Sequence, residues 1–78
     1  MPDLRLFALA EDELEALRLC DLEGFDQTGA GDRMGVSRGT VQRLLKSGRA
    51  TVVRALVEGG ALMIGDAGEE EEKEEAKS

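Results

Sequence analysis

The stretch Gln27–Lys46, QTGAGDRMGVSRGTVQRLLK, decides the fold. It reads as two helices joined by a tight turn, the second carrying the basic side chains. Gly35 is followed by Val36 and then Ser37. A glycine supplies the left-handed backbone that closes one helix, and the serine is a good N-cap for the next. Beyond the turn, Arg38, Gln42, Arg43 and Lys46 recur on one side, and Val41, Leu44 and Leu45 on the other. An apolar inner face, a basic outer face and a glycine-turn entry suit the major groove of DNA.

Upstream of this motif, Asp12-Glu13-Leu14-Glu15 opens a helix predicted over 12–22 and ended by Gly24. Asp12 can cap it, with Glu15 in the capping-box position. Leu14, Ala16, Leu17 and Cys20 have helical spacing, and Leu19 and Leu22 widen the stripe that should be buried. Cys20 reads as a small core residue rather than a reactive thiol, having no evident base or metal partner. Phe25 should plug the core ahead of a second helix, 26–34. That helix is weak, because Gly29 and Gly31 each cost about 0.5–1 kcal/mol relative to alanine. Gly31 faces the following helix and permits a close crossing, whereas Gly29 has no such use. The segment 26–34 is expected to be the least protected part of the domain.

Downstream, Val41, Leu44, Leu45, Gly48, Val52, Ala55 and Leu56 keep one helical phase. This predicts a single long helix over 38–58, with Gly48 as a tolerated weak spot. Past Ala50 the apolar pattern broadens onto more than one face. Val52, Val53, Leu56 and Val57 need cover from a second copy or from the flanking arms; they form the expected homodimer interface. Gly59-Gly60 ends the helix. Leu4–Leu9 and Ala61–Ile64 are the strand-like segments, expected to pair in a small ribbon within one chain or between two. The expected architecture is mainly α: a helix-turn-helix domain over 1–65, with three helices, the third long, and the turn motif at 27–46. A disordered acidic tail over 66–78 follows.

The net charge of −7 looks wrong for a nucleic-acid binder until it is divided along the chain. Residues 1–32 carry −7, residues 33–54 carry +6 with no acid, 55–68 carry −2 and 69–78 carry −4. In physiological salt a charge is felt over roughly 8 Å, so the local basic block governs what binds there. A solvated helix face is the plainer explanation of such a block; its coincidence with the turn motif favours double-stranded DNA. Histidine is absent and Cys20 is the single cysteine, so no metal site, disulfide or cofactor is expected, and catalytic residues are not evident. No apolar run approaches the roughly 20 residues of a membrane span, and no signal peptide is evident, which points to a reducing cytoplasm.

The segments ELEALRL (13–19), DLEGF (21–25), MGVSRGTVQRLL (34–45) and ALVEG (55–59) together carry a resemblance. They resemble a family of small prokaryotic proteins of uncharacterised function, predicted to bind DNA and similar to the fourth region of sigma factors. The likeness covers about residues 4–65 and implies a helix-turn-helix fold with a role in transcription regulation. This chain departs from the family pattern at Gly39, where glutamine is usual, at Thr28 and Gly29, where two glutamates are usual, and at Gly31, commonly alanine. A missing side chain at 39 removes a candidate base contact, worth about 1–3 kcal/mol of discrimination. The other departures loosen the second helix.

On this reading Arg38, Gln42 and Arg43 are the expected base readers, since Arg bridges guanine O6 and N7 and Gln bridges adenine N6 and N7. Arg33, Ser37, Thr40, Lys46 and Arg49 are the expected phosphate contacts. Arg43 equally suits an ion pair with Glu15 or Asp21, and Arg54 an ion pair with an acid of the helix at 12–22. The rival to a DNA-binding regulator is a protein-interaction adaptor that keeps the fold, because fold alone does not fix function.

Overall fold

Arg38–Glu58 forms one uninterrupted helix of 21 residues, and every other element packs against it or against its neighbours. The computed structural model describes residues 5–65, in the order β1 (Leu6–Leu9), α1 (Glu11–Leu17), a π-helical turn (Arg18–Leu22), α2 (Gln27–Met34), α3 (Arg38–Glu58) and β2 (Ala61–Ile64). The fold is mainly helical, with three helices and a two-stranded sheet. The expectations for Leu4 in the first strand and for disorder in the acidic tail fall outside the described residues.

The turn between α2 and α3 forms as the local sequence dictates. Gly35 closes α2 at φ 74°, ψ 31°, a backbone position that other residues reach only with strain. Ser37 caps α3 by accepting the Thr40 N–H at 3.1 Å. A Cβ on Gly31 would lie 2.7 Å from the Val36 carbonyl oxygen, so its missing side chain lets α2 lie close against the turn. Gly29 also has a use that the sequence did not suggest. Its N–H donates to the Asp26 N-cap carboxylate at 2.7 Å, and a Cβ there would approach that carboxylate to 3.1 Å. At the far end Gly59 closes α3 at φ 71°.

The principal core joins Ala16 and Leu19, Ala30 of α2, and Val41 and Leu45 of α3, all almost fully buried. Leu17, Cys20, Phe25, Met34 and Leu44 pack around it, half-buried. Gly48 proves to be a packing position rather than a weak spot. It is buried, and a Cβ there would lie 3.2 Å from Leu17 Cδ1 and 3.3 Å from Glu13 Cβ, so α1 crosses α3 at its missing side chain.

Three details of the first helix differ from expectation. It starts at Glu11, with Ala10 in the N-cap position; Glu13, not Glu15, reaches back to accept the Ala10 N–H at 2.9 Å. Asp12 therefore does not cap and instead sits with Glu11 and Glu13 in the first turn, where acids favour the helix dipole. Its last five residues wind as a π-helical turn. Glu15 and Glu23 both hold the Arg18 guanidinium across that turn, and the Phe25 N–H bonds back to the Leu19 carbonyl at 2.9 Å. The wider turn shifts the helical phase, so Leu19 is buried while Leu22 is 79% exposed. Leu22 and the partly exposed Leu14 are thus not the core residues their spacing suggested.

The ribbon pairs within one chain and is parallel, with Leu6 opposite Ala61 and Leu9 opposite Ile64. Its register starts where the Ala61 N–H bonds the Arg5 carbonyl at 2.8 Å and ends where the Gly65 N–H bonds the Leu9 carbonyl at 2.7 Å. An Arg5–Glu58 ion pair at 2.7 Å ties its beginning to the end of α3. From there both strands run back along α3, and Phe7 and Ala8 line a shallow depression with Ser47, Ala50, Thr51 and Arg54. Leu9 and Ala55 are buried in this part of the molecule.

Candidate nucleic-acid interface

The apolar side of α3 is consumed by the fold, so its opposite side is fixed by subtraction. Val41, Leu45, Gly48 and Ala55 are buried, while Arg38, Gln42, Arg43 and Lys46 are exposed. Spacings of three and four residues put Arg38, Gln42, Lys46 and Arg49 along one exposed stripe, with Arg43 at its side. Among the described residues no acid stands within ion-pairing distance of Arg38, Arg43 or Lys46. The anticipated pairing of Arg43 with Glu15 or Asp21 does not occur, because those carboxylates are held by Arg18 and Arg49. Arg54 likewise makes no ion pair with the first helix.

The start of α3 is a hydrogen-bonded cluster. Ser37 Oγ accepts the Thr40 N–H and donates its own proton to Thr40 Oγ1 at 3.0 Å. Thr40 Oγ1 also accepts from Arg43 Nη2 at 3.2 Å. A hydroxyl that accepts twice retains its own proton for donation, so Thr40 can serve an incoming anion. Ser37 is engaged as the N-cap of α3 through the Thr40 N–H. Arg43 is steadied by Thr40 and is exposed.

Two of the anticipated phosphate contacts have other duties. Arg49 grips Asp21 with two parallel hydrogen bonds, Nε to Oδ2 at 3.0 Å and Nη2 to Oδ1 at 2.7 Å. This pair links the π-helical turn to α3 and holds the Asp21 carboxyl below its ordinary pKa, chiefly through the hydrogen bond from Arg49. The Arg33 guanidinium lies 4.3 Å from the centroid of the Phe25 ring, a cation–π contact that leaves its edge free for an anion. Of the anticipated phosphate set, Lys46 and Arg33 make no ion pair among the described residues, whereas Arg49 does.

Sequence reading overlooked Gln27 and Thr28. They begin α2 and line an open depression of about 650 Å³ that also touches Arg38 and Arg49 of α3. The signal was Asp26, a good N-cap residue that places the next backbone N–H groups at a helix start. Asp21 and Asp26 line the same depression and balance its two arginines, so it is not a strongly cationic hole. Cys20 borders it too; burial, its largest cause, pushes its thiol pKa up, and its Sγ lies 3.9 Å from the Asp26 carbonyl oxygen.

The second half of the outer stripe is apolar. Val53, Leu56 and Val57 are 56%, 75% and 77% exposed, whereas Val52, grouped with them from the sequence, is half-buried by its own chain. Leu6, Leu62 and Ile64 of the ribbon are also substantially exposed. Among the described residues no helix is long and apolar enough to cross a membrane.

Comparison with known proteins gives a family but no activity. A protein-family model described as a protein of unknown function, DUF134, matches residues 3–73. The UPF0251 protein of Syntrophobacter fumaroxidans is 55% identical over 60 residues, which is 77% of this chain and 38% of that one. A UPF0251 protein of Thermococcus kodakarensis is 58% identical over 59 residues, 76% of this chain and 52% of that one. One of Vibrio parahaemolyticus is 52% identical over 60 residues, covering 77% and 62% of the two chains. This chain therefore spans between about two fifths and three fifths of the length of these relatives. No solved structure matches it. With relatives in both bacteria and archaea and a family match that runs through all the elements described above, the chain belongs to the DUF134, or UPF0251, family.

Proposed function

We propose that this chain is a sequence-specific DNA-binding transcription regulator that lays the N-terminal half of α3 in the major groove, acts in the cytoplasm and works as a homodimer. The observation that carries this reading is the exposed set Arg38, Gln42, Arg43 and Lys46, free of acidic partners among the described residues, on a helix whose other side is buried. In such docking the first turns of the helix approach base edges and its rim meets phosphates. Arg38, Gln42 and Arg43 read bases; Lys46, Thr40 and Arg33 hold the backbone. Gly39 supplies no side chain of its own, so the base-reading set is narrow.

A single copy has few contacts for selective binding, and the stripe Val53, Leu56 and Val57 supplies a second. Gln42 and Leu56 stand about 21 Å apart along α3. Two copies joined at Leu56 can hold their Gln42 residues up to about 42 Å apart, enough to reach half-sites roughly 34 Å apart on one side of a duplex. Selection of bound duplexes from a random pool tests the reading. It predicts enrichment of a two-fold symmetric site with half-sites one turn apart; a pool that stays random contradicts it.

The adaptor reading draws on the same exposed apolar stripe, which would then receive another protein. It predicts no duplex binding at about 50 mM salt, where phosphate contacts are strong, even after removal of residues 66–78.

A further inference from the structure

The chain leaves the described fold beside its own basic surface. Glu13 hydrogen-bonds both the Ala10 N–H and the Ser47 hydroxyl, which places the end of β1 at the level of Ser47 on α3. Gly65 bonds Leu9 at that end, so the chain turns out of β2 about level with the middle of α3 and not at its distal tip. Lys46 adjoins Ser47, Arg43 lies about one turn further toward the turn motif, and Arg38 about 13 Å from Ser47 along the axis. The sequence that follows is acidic: residues 69–75 hold six glutamates and one lysine. Four residues of extended chain span about 13 Å and ten about 33 Å, so Glu69–Glu75 can reach the whole cationic stripe.

We propose that the glutamates of residues 69–75 dock on the Arg38, Arg43 and Lys46 face of the same chain and mask it from other polyanions. Three observations support this occupant: opposite charge, the unpaired state of these cations among the described residues, and the exit point of the chain. The contact is electrostatic and exposed, so salt and competing phosphates displace it. The masking consequence rests on the groove reading above; the docking itself does not.

The test keeps the full chain and replaces Glu69, Glu70, Glu71, Glu72, Glu74 and Glu75 by Gln. Zero-length carbodiimide coupling in about 20 mM salt should join Lys46 to a glutamate of 69–75 in the unmodified chain. In a mixture of isotopically light and heavy protein, that link should form within one chain. Raising the salt should shift the side-chain N–H resonances of Arg38 and Arg43 in the unmodified chain and leave the glutamine variant unchanged. If duplex binding holds, the variant should bind at least tenfold tighter at low salt, the gap closing as salt rises. No coupling, coupling only between chains, or identical salt responses overturn the docking. Coupling in a chain that binds no duplex leaves the docking in place and contradicts the groove reading instead.

Discussion

The two halves of α3 share one buried side and differ on the other. In the first half the outer stripe is Arg38, Gln42 and Lys46; in the second it is Val53, Leu56 and Val57. Folding explains the inner side of both halves, because Val41, Leu45, Gly48 and Ala55 fill the space under α1, α2 and the ribbon. It explains neither outer half. The cations are exposed and hydrated, while valine and leucine left in water carry a cost, so the two outer halves differ in the class of partner each would suit. The difference teaches that folding fixes one side of α3 only; on the reading proposed above, the first half of the other side takes a polyanion and the second an apolar surface.

Charging the apolar half should have the largest effect. Leu56→Glu with Val57→Glu would place two carboxylates in the proposed two-fold contact. Sedimentation equilibrium should show dimer dissociation raised by at least a hundredfold, with helix content unchanged. A monomeric parent protein would remove the second-copy assignment altogether.

Changes in the basic half should separate specificity from affinity. Arg38→Ala and Gln42→Ala should each lose about 1–3 kcal/mol of discrimination at one base pair, read as a flattened preference in competition binding. Lys46→Ala should weaken every duplex alike and make the salt slope shallower by about 0.9. If all three act identically, the split between base and phosphate contacts is wrong.

Two glycines sharpen the comparison without touching charge. A Cβ on Gly39 meets nothing closer than 3.9 Å, so Gly39→Ala should stabilise the domain by about 0.5–1 kcal/mol in denaturant unfolding. Gly48 lies under Leu17, and Gly48→Val should destabilise by about 1–3 kcal/mol through overpacking. Equal effects at both positions would contradict the crossing of α1 and α3.

The smallest effect belongs to the Arg49–Asp21 pair. Asp21 has a folded pKa below its unfolded value, so its stabilisation is present above the unfolded carboxylate range and fades as pH falls through the folded value. Thermal unfolding of the parent and Asp21→Asn should therefore differ at neutral pH and converge in acid, once the pH has fallen below the lowered pKa of Asp21. A difference that persists unchanged into acid would mean the pair contributes packing, not charge.

Local signals in the sequence were sufficient wherever structure is local. Gly35, Ser37 and Gly59 each act within one turn, which is why the α2–α3 turn and both ends of α3 could be read directly. Features that depend on distant partners were not legible. The Arg49–Asp21 pair spans 28 positions, the parallel register joins the two ends of the described chain, and Gly48 matters only because Leu17 lies across it. The π-helical turn escaped notice because its residues have ordinary helical spacing; the bonds that widen it come from Glu23 and Phe25 beyond its end. In the candidate site, the cationic stripe was readable from periodicity. The engagement of Arg49 with Asp21 was not, since it rests on a partner 28 positions away.

The salt dependence of duplex binding tests the central claim most directly, measured between about 50 and 200 mM salt on the chain with the six glutamates of 69–75 replaced by Gln and on the Lys46→Ala variant of that chain. The account predicts a steep linear fall of log affinity with log salt, shallower by about one phosphate contact in the variant. Affinity that does not change with salt, or no binding at the low end of that range, would contradict it.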